Sequence, residues 1–180
     1  MASWSQIARR IRVPTGFVMA GVFLILAQPN WNTLALGSAF VIAGLFIRGF
    51  ASGHLQKNEQ LATSGPYAYT RNPLYLGSLV MAVGFAVAAK SIWIALLLGT
   101  IFVCIYLPVI RAEESHLAQR FPEFADYARQ VPRLIPRAGA TQDYSGSFSW
   151  ALYSKHREYN ALLGALALLA ALVGKMMWGH

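Results

Sequence analysis

"LYLGSLVMAVGFAVAAKSIWIALLLGTIFVCIYLPVI", residues 74–110, carries a single charged residue, Lys90, in an otherwise apolar run. A soluble core helix of this length would show polar residues at helical spacing. This stretch reads instead as two spans through lipid, Leu74–Ala89 and Ile92–Ile110, joined through "AKSIW". The first is short against the ~17–25 residues of an ordinary span and must recruit flanking residues or sit where the bilayer is thin. So tight a hairpin leaves almost no loop at its closed end. Its two open ends therefore emerge on one side. That brings together the segment at its start, "GPYAYTRNPLYLG" (65–77), and the segment that follows, "RAEESHLAQRFPEFADYARQVPRLIPR" (111–137).

Outward from the hairpin, three further apolar blocks stand at Val13–Ala27, Trp31–Phe50 and Ala161–Trp178, the last with Lys175 near its end. The expected fold is an all-α integral membrane protein of about five transmembrane helices. Its 180 residues suffice for a single domain, 1–180. Within it lie a first hairpin at 13–50 closed through "QPNWN", a core at 61–136 and a last helix at 160–178. Composition agrees: 56% of residues are hydrophobic and 12% charged, against roughly 25% charged in soluble domains.

Charge sets the orientation. Arg9, Arg10, Arg12, Arg48, Lys57, Arg71, Arg111, Arg120, Arg129, Arg133, Arg137, Lys155 and Arg157 fall on one side, and Lys90 and Lys175 on the other. The positive-inside rule puts the N-terminus and both long loops in the cytoplasm and the C-terminus outside. The net charge of +8 then follows from topology and anionic headgroups, with no nucleic acid needed to explain it. No obligate protein partner is evident. Trp31, Trp93 and Trp178 fall at expected outer interfaces. No small-residue cleavage site follows "LILAQPN", so the first block reads as a retained span. Cys104, the single cysteine, cannot form an internal disulfide and reads as a small core residue.

In the segment after Ile110, Arg111–Arg120 has helical spacing. Pro122 is tolerated early in a second helix whose apolar face would be Phe121, Phe124, Tyr127 and Ala128, ended by Pro132 and Pro136. Helices of this type lie along the membrane interface. Arg137–Ser154 is Gly/Ser-rich and reads as a linker. His54, His116 and His156 lack metal-ligand spacing and no metal site is apparent; their bland reading is as polar interface residues.

The two segments place Tyr67, Tyr69, Arg71, Asn72 and Tyr75 opposite Glu113, Glu114, His116 and Arg133, a concentration of polar groups at a membrane edge that calls for a functional reading. Together they resemble the integral-membrane methyltransferases typified by isoprenylcysteine carboxyl methyltransferase, with the phospholipid methyltransferases as relatives. Gly65, Pro66 and Tyr67 match that family's GPY loop. Arg71, Pro73, Tyr75 and Gly77 match its Arg-His-Pro-x-Tyr-x-Gly pattern, within which Leu76 also falls, and Glu113 and Glu114 match its acidic pair. Asn72 stands where the family has His, and Pro122 and Phe124 replace its Gly and Tyr.

The resemblance implies S-adenosylmethionine as cofactor, held in a pocket facing the cytoplasm by Gly65, Pro66, Tyr67, Arg71, Asn72, Pro73, Tyr75, Leu76, Gly77, Glu113, Glu114 and His116. It implies a lipophilic or lipid-tailed acceptor reaching the site from the membrane lipids. Arg71, Glu113 and Glu114 are the expected catalytic residues. Arg71 suits a carboxylate, and one glutamate suits the cofactor's ammonium or ribose while the other braces an arginine or meets solvent. Asn72 can bind but cannot act as a base. A carboxylate acceptor, ionised at neutral pH, needs none. Two other readings stand beside this one: an NADPH-dependent membrane sterol-type reductase, against which the short chain argues, and a non-catalytic membrane protein of the same fold, which Asn72 would favour.

Overall fold

The computed structural model describes residues 4–56, 60–137 and 147–178. Among them every regular element is helical. Helix α1 (Trp4–Leu26) and α2 (Trp31–Ser52) form the first hairpin, and α3 (Pro73–Ala89) and α4 (Ile92–Arg120) the second. The short helices α5 (Phe124–Gln130) and α6 (Trp150–Lys155) precede α7 (Tyr159–Trp178). Helices α2, α4 and α7 are long and apolar enough to cross a membrane, and α3 is a shorter apolar helix. The fold is all-α and membrane-embedded, and five is an approximate count of its spans.

Local chemistry explains where the helices begin and turn. Asn30 caps α2 through a reciprocal pair with Thr33: the Thr33 amide donates to Asn30 Oδ1 (2.9 Å), and the Asn30 amide to Thr33 Oγ1 (3.1 Å). Pro73 opens α3 at the position where a missing N–H costs nothing. Lys90 closes α3 in the left-handed region (φ 50°), unusual for a residue with a side chain, and this makes the tight turn possible. The Gln28 amide donates to Ala89 O (2.8 Å), so the two hairpin turns meet at one end of the bundle. There Phe23, Ala27, Leu34, Ala88, Ala89, Ile94 and Leu172 form a buried core. Lys175 Nζ donates to the carbonyls of Leu24 (2.7 Å) and Ile25 (3.1 Å), pinning α7 to the orphan carbonyls of the last turn of α1. Trp31, Trp93 and Trp178 are exposed at this same end, as an aromatic belt requires.

The closest helix pair is α2 against α3, and glycine makes it possible. A Cβ placed on Gly37 would lie 2.4 Å from Gly84 O, and one on Gly44 would lie 2.6 Å from Gly77 O. Backbones approach this closely only without side chains between them.

Several expectations change. Cys104, read as a small core residue, is exposed on α4, and His54, read as a polar interface residue, is buried. Arg111–Arg120 is not a separate interfacial helix but the continuation of α4, which runs unbroken through 29 residues. At 1.5 Å per residue it is ~43 Å long, beyond the ~30 Å hydrocarbon thickness, so its charged end projects from the membrane. It continues because Pro108 falls after a π-helical turn, Phe102–Tyr106, in which the Leu107 amide reaches back to Phe102 O. The residues read as a linker, 137–154, are in part a helix. Residues 138–146 lie outside the described chain, but Ser149 caps α6 and its own amide donates to Gly53 O (3.0 Å), while Phe148 stacks on Phe50.

Candidate functional site

At the other end of the bundle the two polar segments meet, as the hairpin requires. Gly65 opens a 3-10 turn, Gly65–Ala68, in the left-handed region (φ 57°), with the His54 ring packed where a side chain would go. Tyr67 is buried behind it, and Tyr67 O accepts from Tyr127 Oη (2.8 Å). Beyond the turn the chain runs alongside residues 132–137. The Arg71 amide donates to Pro132 O (2.9 Å), the Arg137 amide to Tyr69 O (3.1 Å), and the buried Thr70 hydroxyl to the carbonyls of Arg133 (3.2 Å) and Leu134 (3.1 Å).

Glu114 is the centre of this join. It is buried on α4, and its Oε1 accepts from Asn72 Nδ2 (2.9 Å) and its Oε2 from Arg133 Nε (2.8 Å). Arg71 Nε lies 3.5 Å from Oε1, buried and without a hydrogen bond, and the Arg71 guanidinium also stands over the Phe124 ring at 6.0 Å. Asn72 Nδ2 donates a second time, to Arg133 O (2.9 Å). A primary amide can serve two acceptors from one nitrogen, which a histidine ring nitrogen cannot. Asn72 is thus a bridge between the segments. Among the described residues, two guanidinium groups share this one carboxylate, a surplus of one positive charge within the cluster.

Adjacent residues on a helix point ~100° apart. Glu113 is accordingly turned away from the partners of Glu114 and half-buried, and its charge contributes to raising the Tyr67 hydroxyl. Of the other expected site residues, Pro66 and Pro73 open their helical turns, and Leu76 is half-buried on α3. Tyr75 meets Tyr106 edge-to-face at 6.0 Å. Gly77 lies buried against α2, and His116 is exposed on the outer face of α4.

Burial pushes the hydroxyls of Tyr67 and Tyr127 above the usual phenol range. For Tyr67, Tyr127 and the carboxylates of Glu158 and Glu113 act in the same direction and Arg48 opposes. For Tyr127, Arg71 opposes and Glu114 adds. A folded pKa above the unfolded value near ~10 gives stability that is fully present below that pH and lost as pH rises past it. Two of the eight tyrosines are therefore expected to stay un-ionised at a pH of about 11 and to titrate only on denaturation, read by absorbance at alkaline pH. All eight titrating together in the folded protein would overturn this.

A second polar cluster joins α2, α3 and the start of α7. Arg48 Nε donates to Glu158 Oε2 (3.0 Å), Nη2 to Glu158 Oε1 (2.9 Å), and Nη1 to Leu74 O (3.3 Å) and to the Ser78 hydroxyl. The pair ties α2 and α3 to the start of α7. Gly77 is small because Arg48 passes there: a Cβ would lie 2.6 Å from Arg48 Cγ. Arg48 and Ser78 also form the polar end of a cavity of about 350 Å³ between α1, α3, α4 and α7. Sequence reasoning missed Thr70, Tyr127 and Glu158 as members of the site, and counted Arg48 only as loop charge. A cation near the end of an apolar run was the one hint for Arg48, and it fits a loop anchor as well. For Thr70 there was none. Among the described residues no group of three or more His, Cys, Asp or Glu could hold a metal ion.

Residues 17–123 match the phospholipid methyltransferase family. The chain is 34% identical over 153 residues to a cobalt-zinc-cadmium resistance protein of Cupriavidus metallidurans, covering 79% of this chain and 68% of that one. It is 34% identical over 125 residues to a nickel-cobalt-cadmium resistance protein of Alcaligenes xylosoxydans xylosoxydans, covering 64% and 59%. It is 27% identical over 140 residues to the protein-S-isoprenylcysteine O-methyltransferase of Schizosaccharomyces pombe, covering 74% and 59%. The chain thus spans about three fifths to two thirds of the length of these relatives. No solved structure matches it.

Proposed function

The chain belongs to the phospholipid methyltransferase family, and from that premise we propose that this membrane methyltransferase uses S-adenosylmethionine to methylate a lipophilic acceptor, a carboxylate being favoured. The observation that carries the reading is the Glu114 join, which closes the GPY loop onto the segment ending in "RLIP" at one end of the bundle.

Arg71 is the residue for the cofactor's carboxylate. It carries a buried N–H without a hydrogen bond and belongs to a cluster with one positive charge in surplus. Glu113, half-buried and with its charge reaching Tyr67, is the residue for the cofactor's ammonium or ribose hydroxyls. Glu114 is fully engaged with Asn72, Arg133 and Arg71 and acts by positioning Arg71. When bound, S-adenosylmethionine supplies an electrophilic methyl group on a sulfonium. The protein's share is to hold the acceptor in line and to keep water away, and held geometry accounts for roughly 7–11 kcal/mol of such a barrier. Asn72 moves no proton, and an ionised carboxylate asks for none. The distribution of arginines supports placing this end of the bundle in the cytoplasm.

Isothermal titration of the detergent-purified chain with S-adenosylmethionine and with NADPH tests the reading. Saturable binding of the first and none of the second is expected. Binding of NADPH alone, or of neither, would overturn it.

A further inference from the structure

The cavity of about 350 Å³ is at the small end of the ~300–1,000 Å³ range of ligand sites, and its two ends differ. The polar end has Thr15, Arg48, Ser78 and Tyr106. Tyr106 touches Tyr75 edge-to-face, so this end adjoins the Arg71–Gly77 segment of the site. The far end is closed by Phe23 and Phe85, edge-to-face with centroids 5.8 Å apart. Behind them Ala27, Ala88, Ala89, Ile94 and Leu172 are fully buried, so among the described residues the way straight on past the two rings is filled. The wall contributed by α4 includes the π-helical turn at Phe102–Tyr106, whose wider register turns Phe102, Ile105 and Tyr106 toward the cavity.

The geometry points to this cavity as the seat of a single short aliphatic tail of the acceptor, with the Phe23–Phe85 pair as the stop that sets its length. Ser78 and Phe85 are seven residues apart on α3, so the cavity is about 10 Å deep, the reach of an extended chain of about eight carbons. A tail of fifteen or more carbons has no room beyond the phenylalanines. Each methylene left outside forfeits its share of burial, about a factor of four in affinity. The Arg48–Glu158 pair at the polar end already satisfies both partners. The acceptor's head therefore lies past it, on the Tyr75 side.

The inference rests on the reading of the acceptor as lipophilic, but its test needs no methyl transfer. Alkyl carboxylates of eight, twelve and sixteen carbons, each with a diazirine at the tail end, are photolysed with the full chain in detergent and the labelled peptides mapped by mass spectrometry. The eight-carbon probe is expected to label the peptides carrying Phe23 and Phe85 at least ~10-fold more than the sixteen-carbon probe does. Phe85→Ala should move the preference to twelve carbons. Ala82→Phe, which fills the cavity without touching the stop, should abolish labelling there while the circular dichroism spectrum is kept. Equal labelling of those peptides by all three lengths, or labelling confined to the lipid-facing Ile42 and Phe46, would overturn the inference. Length-selective labelling by a chain that binds no S-adenosylmethionine would sink the methyltransferase reading alone.

Discussion

Glu114→Gln is expected to open the join between residues 69–72 and 132–137, and to do so far more than Glu113→Gln. The amide that replaces the carboxylate keeps its volume but has one acceptor oxygen where two were used. Its nitrogen must face a donor, either Asn72 Nδ2 or Arg133 Nε. Arg71, only 13% exposed, then loses its one counter-charge among the described residues. Removing one partner of a buried ion pair costs ~3–5 kcal/mol. Arg133, 44% exposed, can return to water, so the lower end applies. About 3 kcal/mol is a change of roughly two orders of magnitude in the opening equilibrium. Limited proteolysis of the 131–137 segment should be correspondingly faster. Glu113→Gln should leave that rate within about two-fold and instead weaken S-adenosylmethionine binding ~10-fold or more, since a charge-assisted bond contributes ~1.5–3 kcal/mol. If the two variants show the same pattern, the separate roles given to the two glutamates are wrong.

That separation was half legible in the sequence. Adjacent glutamates on a helix must face differently, so one inside and one outside could be foreseen. Which was which depends on the partner segment, and the approach of Arg133 and Asn72 is a tertiary fact. The hairpin of Leu74–Ile110 was readable because an apolar run with one charge has few alternatives. The unbroken α4 was less so. A change from apolar to charged composition at Arg111 marks where the helix leaves the membrane, and composition alone does not say whether it also ends. Helix α6 left no signal because six residues are fewer than two turns, too few to show a period. Arg48 illustrates a different limit. Its place near the end of an apolar run fits a loop anchor and an internal tie equally well, until Glu158, 110 residues away, is brought beside it. The glycines Gly37, Gly44, Gly77 and Gly84 were visible as residues, but their pairing across α2 and α3 needs the register of both helices.

The same pairing makes the sign of glycine substitutions depend on position. Gly44→Val is expected to abolish the folded protein or lower its melting temperature sharply. The first carbon added would already lie 2.6 Å from Gly77 O and 2.8 Å from the Met81 amide nitrogen, both backbone atoms that cannot swing aside. The two methyls beyond it have the facing helix in their way. Inserting groups into a filled interface costs ~1–3 kcal/mol even where neighbours can adjust, and here α2 and α3 must separate. Separation would also displace Gly77 and Ser78 from Arg48, loosening the tie to Glu158 beneath the site. Gly99→Ala and Gly174→Ala should do the reverse. Each sits inside a helix with nothing within 4 Å of the added carbon, so the substitution removes the backbone freedom of glycine at no steric cost. That is worth roughly 0.5–1 kcal/mol in the favourable direction. Thermal denaturation of the three variants in one detergent reads the contrast directly. Gly44→Val melting with the wild type, or the alanine variants melting well below it, would mean that α2 and α3 do not pack through these glycines.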